Sequence, residues 1–299
     1  MSKTVGIVGL GIMGGAIALN LIERGWTVVG FDLSSDRCGD VARAGGLIAS
    51  SVSDLSLKAP LILVSLPTPV AAHAVANEIS RSRVSQRIVI ELSTFSIPDK
   101  MRFEEIVSEG GHVALDCPLS GTGAQAKNRD LVVYASGSSE AIEQCSPLFA
   151  DFAKQSASLG RYGNGSRMKF VANLLVAIHN VAAGEAMALA IKAGLDRDQV
   201  VALIGPGAGG SRMFQMRAPM MAKEKFEPAT MRIATWRKDM KIIREFAEEL
   251  LCPVPLFDTT EPIYERAFDQ GFGDLDTASV FMIMKEMAGL TEKNPAGPV

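Results

Sequence analysis

Several residue types are scarce in this chain. Among 299 residues there are three histidines, three tyrosines, two tryptophans and four cysteines. Cys38, Cys117, Cys145 and Cys252 form no C-x-x-C pair and do not have the spacing of a zinc ribbon, so no metal site is expected. A chain of this length can build a core without disulfides, and the cysteines read as reduced thiols. No uninterrupted stretch of about 18 apolar residues occurs, which argues against a membrane span. Neither sign of charge dominates, with 30 basic and 33 acidic residues and a net charge of −3. That balance gives no electrostatic reason to coat nucleic acid or anionic lipid. The opening MSKTVGIVGLGIMGG lacks the plan of a signal peptide, so a cytoplasmic protein is expected. No G-x-x-x-x-G-K-[ST] loop occurs, which excludes a P-loop nucleotidase.

Glycine is abundant, with 28 residues, and 47% of the chain is apolar, ample for ordinary cores. The length suggests two domains. Strands are expected at Val5–Val8, Thr27–Phe31, Leu61–Ser65, Ile88–Leu92, Val113–Leu115 and Leu131–Ala135. Helices are expected between them at Ile12–Arg24, Val70–Arg81, Asp99–Glu109 and Ser139–Phe149. Strands alternating with helices imply βαβ units and a parallel sheet, and the runs VGIV, LILV and IVI suit strands buried on both faces. From about residue 160 the pattern is helical. A long, alanine- and leucine-rich helix is expected over Ser166–Lys192, stopped by Gly194, with further helices at Asp198–Leu203, Met213–Lys223, Met231–Glu249, Thr259–Asp269 and Thr277–Ala288. The tail EKNPAGPV reads as a frayed end. The expectation is therefore an α/β, Rossmann-type domain over residues 1–162, followed by an all-α domain over residues 163–299 that begins with a long interdomain helix.

The first expected strand runs into Gly9-Leu10-Gly11-Ile12-Met13-Gly14, a G-x-G-x-x-G motif that opens a helix. Gly9 permits the tight turn, Gly11 lets the backbone approach a pyrophosphate, and Gly14 lets the helix pack close to the sheet. The helix N-terminus then offers N–H groups to phosphate. Asp32 ends the second strand, 18 residues beyond Gly14, where a carboxylate can accept hydrogen bonds from the ribose hydroxyls of NAD and repel a 2′-phosphate. Leu33, Ser34 and Ser35 follow, which favours NAD over NADP, although Arg37 is near.

The Tyr-x-x-x-Lys arrangement of short-chain dehydrogenases is absent: Ser138, Ser166 and Phe268 stand four residues after Tyr134, Tyr162 and Tyr264. His73, His112 and His179 sit in no catalytic motif. One lysine is better placed. Gly163-x-Gly165 leads into Lys169, and Lys169, Asn173 and Asn180 fall on one stripe of an otherwise apolar helix. Such a stripe is costly if buried without partners, and the alternative is a solvated strip at a cleft.

These motifs together resemble the β-hydroxyacid dehydrogenases, the group that includes 3-hydroxyisobutyrate dehydrogenase and the more distant 6-phosphogluconate dehydrogenase. The resemblance covers nearly the whole chain. Gly9 through Gly14 resembles the family's dinucleotide motif. Leu66-Pro67 and Ser93-Thr94 with Pro98 resemble its cofactor-contacting turns. Asp116-Cys117-Pro118-Leu119-Ser120-Gly121 resembles its substrate loop, Gly163-x-Gly165-x-x-x-Lys169 with Asn173 its catalytic helix, and Lys238-Asp239-Met240 its later Lys-Asp motif. Ala172 stands where the family often has a first asparagine. Thr122 replaces a second loop glycine, and Lys127-Asn128-Arg129-Asp130 stands where small residues are usual. In this loop the chain resembles the L-threonate dehydrogenase branch.

The resemblance implies hydride transfer between a nicotinamide cofactor and a small hydroxy acid, in a homodimer or homotetramer. It implies Lys169 as general acid/base, Asn173 as an orienting group, and Ser120, Gly121 and Thr122 as the carboxylate site. Lys238 would supply a second cation to the substrate or close over the cofactor. A free lysine titrates near 10.4 and a base useful at neutrality near 7–8, a difference of ~3–4 kcal/mol that burial can supply. The alternatives are an imine reductase, a related fold that generally lacks a lysine at this position, and a non-catalytic dinucleotide-binding module.

Overall fold

The computed structural model describes residues 3–290. The tail EKNPAGPV lies outside the described residues. The chain divides into two compact units, one ending at Lys169 and the other beginning at Phe170.

In the first unit the strands are β1 (Thr4–Val8), β2 (Thr27–Phe31), β3 (Leu47–Ile48), β4 (Leu61–Val64), β5 (Ile88–Glu91), β6 (Val113–Asp116), β7 (Leu119–Ser120), β8 (Val132–Gly137) and β9 (Gln155–Ser158). The helices are α1 (Ile12–Glu23), α2 (Ser35–Arg43), α3 (Val52–Lys58), α4 (Pro69–Arg81), α5 (Ile97–Glu109), α6 (Gly123–Lys127) and α7 (Ser139–Phe152). The sheet runs in the order β3-β2-β1-β4-β5-β6-β8-β7, and β9 pairs with β8. Strands β3 through β6 in that order are mutually parallel; β8 runs antiparallel to β6 and β7. The order reverses between β1 and β4, the switch point at which doubly wound sheets open a crevice beyond their carboxyl ends.

The apolar strand runs are explained by burial on both faces. Ile7, Val28, Leu63, Ile90 and Leu115 pack on one side with Ile17 and Leu21 of α1 and Phe149 of α7. Their neighbours Val8, Val29, Ile62, Val89 and Ala114 pack on the other with Leu55 of α3, Ile79 of α4 and Phe103 of α5. Each large side chain buried this way contributes about 1.5–3 kcal/mol before entropy is counted.

The second unit is helical: the body of α8 (Asn164–Lys192), then α9 (Arg197–Ile204), α10 (Arg212–Ala222), α11 (Ile233–Glu249), α12 (Pro255–Ala267) and α13 (Val280–Met287). Gly194 takes φ +75° two residues after α8, as a helix stop requires. One carboxylate shapes the starts of two expected helices. Buried Asp276 accepts the N–H groups of Thr230 at 2.7 Å, Met231 at 3.2 Å and Ala278 at 3.0 Å. The helix expected from Met231 therefore begins at Ile233, and the one expected from Thr277 opens as a 3-10 turn, Thr277–Ser279. The helix expected at Thr259–Asp269 begins at Pro255, whose fixed φ suits a first helical turn, and gives way after Ala267 to a π turn at Phe268–Phe272.

Among the described residues α8 is the one helix long and apolar enough to cross a membrane by length and composition, with a mean hydropathy of 1.7 over its best window. Its buried amides have partners within the second unit. Asn180 Nδ2 donates to the Tyr264 hydroxyl at 2.9 Å and the Thr277 carbonyl at 2.8 Å. Asn180, which the stripe grouped with Lys169, thus serves the core of that unit.

Candidate active site

The glycine motif lies at the carboxyl end of β1. Gly9 has φ +91°, and a Cβ there would stand 2.1 Å from the Ser65 carbonyl oxygen; a Cβ at Gly14 would stand 1.9 Å from the Gly9 carbonyl oxygen. Only glycine fits either position. A Cβ at Gly11 would meet nothing closer than Arg37 Nη1 at 3.8 Å. The N-terminus of α1 has no side-chain cap and no acidic residue in its first turn. Its first N–H groups and positive dipole end thus suit a pyrophosphate. Ile12, second in the motif's x positions, is largely exposed, whereas Leu10 is buried.

Asp32 is tied to this loop. Its Oδ2 accepts the Leu10 N–H at 2.7 Å and its Oδ1 the Ser34 N–H at 2.8 Å, with Arg37 Nη1 3.6 Å from Oδ2. Each carboxylate oxygen keeps a second lone-pair site, so ribose hydroxyls can still be accepted. The turns after β4 and β5 lie at the same edge of the sheet because the strands are parallel. They are joined by the Leu66 N–H, which donates to Ser93 Oγ at 3.1 Å.

The loop after β6 shows what its glycine is for. Gly121 takes φ +136°, and a Cβ there would strike Leu131 at 2.6 Å. Thr122 is differently used than expected. Its N–H donates to Gln125 Oε1 at 3.0 Å in a capping box that opens α6, so this donor is already committed. Cys117 is fully buried, and burial pushes its thiol well above the ordinary range, which suits packing and not nucleophilic attack.

Lys169 is the last residue of the first unit and is buried. Three residues earlier, Ser166 is fixed to the carboxyl end of β6: its N–H donates to Asp116 Oδ2 and its hydroxyl to Asp116 Oδ1, each at 2.8 Å. The helix that carries the lysine therefore starts at the edge of the sheet where the glycine loop lies. In the second unit Asn173, Lys238 and Asp239 come together. Asn173 Nδ2 donates to Asp239 Oδ2 at 3.1 Å, and Lys238 Nζ lies 2.9 Å from Asp239 Oδ1. Two carboxylates, Asp116 and Asp239, were not among the expected site residues, though each sits inside a quoted motif.

Sequence comparison now decides the family. The NAD-binding domain of 6-phosphogluconate dehydrogenase matches residues 4–161, and the NAD-binding domain of NADP-dependent 3-hydroxyisobutyrate dehydrogenase matches residues 163–284. The chain belongs to this dehydrogenase family. Its relatives include an L-threonate dehydrogenase of Escherichia coli, 31% identical, with 93% of this chain and 94% of that one aligned. A glyoxylate/succinic semialdehyde reductase of Arabidopsis thaliana is 28% identical over 94% of this chain and 98% of its own. The crystal structure of a 3-hydroxyisobutyrate dehydrogenase from Salmonella typhimurium superimposes with a TM-score of 0.85 at 27% identity, covering 94% of this chain and 99% of that one. An imine reductase from Pseudomonas shares the fold at a TM-score of 0.63 and 20% identity. As a member of the family, the protein is a nicotinamide-dinucleotide-dependent oxidoreductase acting on CH–OH.

Proposed function

We propose that this chain is an NAD-dependent dehydrogenase of a small hydroxy acid, working in the cytoplasm as a homodimer or homotetramer, with residues 1–162 holding the cofactor and 163–299 serving substrate and assembly. The observation that carries the reading is the buried Lys169, one turn into a helix whose start is bonded to the carboxyl edge of the cofactor sheet. When bound, the nicotinamide ring accepts or returns a hydride at C4. Gly9, Leu10, Gly11, Ile12, Met13 and Gly14 would hold the pyrophosphate, Asp32 the ribose, and the Leu66-Pro67 and Ser93-Thr94 turns the nicotinamide half.

The protein's own groups then have defined work. Oxidation of a hydroxyl requires a base at that oxygen, and Lys169 takes the proton there; in reduction its ammonium returns it. Asn173, fixed by Asp239, orients the substrate or the lysine. Ser120 and Gly121 receive the substrate carboxylate. Thr122, whose N–H and hydroxyl both donate to Gln125 Oε1, at 3.0 and 3.4 Å, shapes the loop that receives the carboxylate. Lys238 supplies a second cation to the substrate or closes over the cofactor. The exposed stripe Val171, Leu175, Ala182 and Leu189 lies within about 40° around α8 and supports self-association.

The presence of Lys169 favours a hydroxy acid over an imine. The test is a panel of L-threonate, 3-hydroxyisobutyrate, glycerate, tartronate and L-serine with NAD, run beside cyclic imines with NADPH. Turnover of a hydroxy acid, with the imines inert, supports the reading; the reverse sinks it. For the cofactor, Asp32→Asn is more informative than alanine, because it keeps an acceptor for one of the two loop N–H groups. Loss of a hydrogen bond to a charged group costs about 1.5–3 kcal/mol, so kcat/KM with NAD should fall roughly 10- to 100-fold while that with NADP holds or rises. An unchanged ratio removes Asp32 from the ribose site.

A further inference from the structure

Three charged side chains are fully buried at the centre of the first unit: Glu91 at the end of β5, Lys100 in α5 and Asp116 at the end of β6. Lys100 Nζ bonds Glu91 Oε2 and lies 2.9 Å from Asp116 Oδ1. Replacing such buried ionic groups by apolar ones of equal volume is often neutral or stabilising, so their presence calls for another reason.

The outward bonds of the two carboxylates supply it. Glu91 Oε1 accepts the Ser93 N–H at 2.8 Å, and Ser93 Oγ accepts the Leu66 N–H. One carboxylate thus holds both turns assigned to the cofactor. Asp116 accepts the N–H and hydroxyl of Ser166. Ser136 Oγ accepts the Gly165 N–H at 2.9 Å and lies 3.1 Å from the Asp116 carbonyl oxygen, to which it donates. The first turn of α8 is therefore capped from β6 and β8, by groups outside the helix. Gly165 makes this close seat possible, since a Cβ there would stand 2.3 Å from the Tyr134 carbonyl oxygen and 2.6 Å from that of Asp116. Lys169 follows Ser166 by three residues and lies on the same face of the helix.

We propose that Glu91, Lys100 and Asp116 form a positioning triad that holds the first turn of α8, and with it Lys169, in fixed register with the Leu66-Pro67 and Ser93-Thr94 turns. The proposal rests on the assignment of Lys169 as acid/base and of those turns to the cofactor. Lys100 is the common member: it joins one carboxylate committed to the cofactor turns and one committed to the helix. None of the three needs to touch substrate.

Ser166→Ala and Ser93→Ala test this at the two ends of the chain of bonds without removing any of the buried charges. Misplacing a catalytic group by about 1 Å costs up to 10²-fold, so Ser166→Ala should lower kcat roughly 10- to 100-fold. The Kd for NADH, read by fluorescence titration, should stay within about twofold, and Ser166→Thr should restore kcat, since threonine keeps the hydroxyl. Amide hydrogen exchange should quicken in the first turn of α8, a readout independent of turnover. In the double variant the loss should differ from the product of the single losses by at least about threefold. Unchanged exchange in Ser166→Ala, kcat at the wild-type level, or strictly multiplicative losses would each overturn the triad's role. If Lys169→Ala keeps its turnover, the acid/base assignment fails on its own, and the exchange result still reports on the triad.

Discussion

Replacing Lys169 by alanine is expected to lower turnover of the hydroxy acid by about 10²- to 10⁴-fold, the range that a positioned general acid or base contributes. The loss should fall on kcat. The glycine loop and Asp32, assigned to the cofactor, belong to the ends of β1 and β2 and keep their own bonds in the variant, so the Kd for NADH should change little. Lys169→Arg should fare no better, although it keeps a positive charge. A guanidinium does not give up its proton near neutrality, so arginine can hold an anion but cannot act as the base. The pair therefore separates proton transfer from simple charge. Wild-type turnover in the alanine variant would remove Lys169 from the chemistry; substantial turnover in the arginine variant would make its role electrostatic.

The second large effect is on stability. Lys100→Met keeps the volume of the side chain but leaves Glu91 and Asp116 facing each other inside the sheet without the ammonium between them. Breaking a buried ion pair from one side costs about 3–5 kcal/mol, and for a unit of this size that lowers Tm by roughly 10 °C. Burial works against the charge of Lys100, but the Asp116 and Glu91 carboxylates more than offset it and raise its pKa, so the lysine stays protonated in the fold. Burial also raises the pKa of Glu91 even with the lysine present. Without the lysine, the Glu91 carboxyl would be raised further, since burial would no longer be opposed by the ammonium. A carboxyl raised in this way destabilises the fold above its pKa and stops doing so once protonated, so the variant's deficit should shrink as pH falls from about 8 toward about 5. Glu91→Gln, which leaves one ammonium facing one carboxylate, should cost far less than Lys100→Met. A Lys100→Met variant that melts with the wild type across that pH range would show that the triad is not held together by charge.

The parts of this protein that are local in sequence could be read from it. The cofactor loop is contiguous and directly follows an apolar strand, so Gly9-x-Gly11-x-x-Gly14 announces itself, although the clash that requires Gly9 is with Ser65, beyond β4. The buried strands do so too, because both faces are covered and every residue of VGIV or LILV is apolar. The short elements could not be read in this way. Helix α2 is polar with one buried residue, Val41, and β3 has only Leu47 and Ile48, so neither carries an apolar run long enough to stand out. The bonds that fix the site are longer in range. Asp116 caps a helix 50 residues away, and Asn173 meets Asp239 across 66. Asp276 takes the N–H groups of Thr230 and Met231, which shifts the start of α11 by two residues. An aspartate in a loop carries no mark of the backbone it will accept. For Thr122 the motif pointed to a substrate donor, while a glutamine three residues on takes its N–H. The capping-box spacing, threonine followed three residues later by glutamine, was present to be read.

The most direct test of the account follows hydrogen itself. Members of the hydroxy-acid panel, deuterated at the hydroxyl-bearing carbon, are incubated with NAD and the purified protein. The nicotinamide is then examined for label at C4. The account predicts deuterium in NADH for at least one acid, slower turnover of the deuterated acid than of its protiated form, and no transfer by Lys169→Ala on the same timescale. Bound NAD that stays unreduced with every acid, or label transferred equally well by Lys169→Ala, would contradict it.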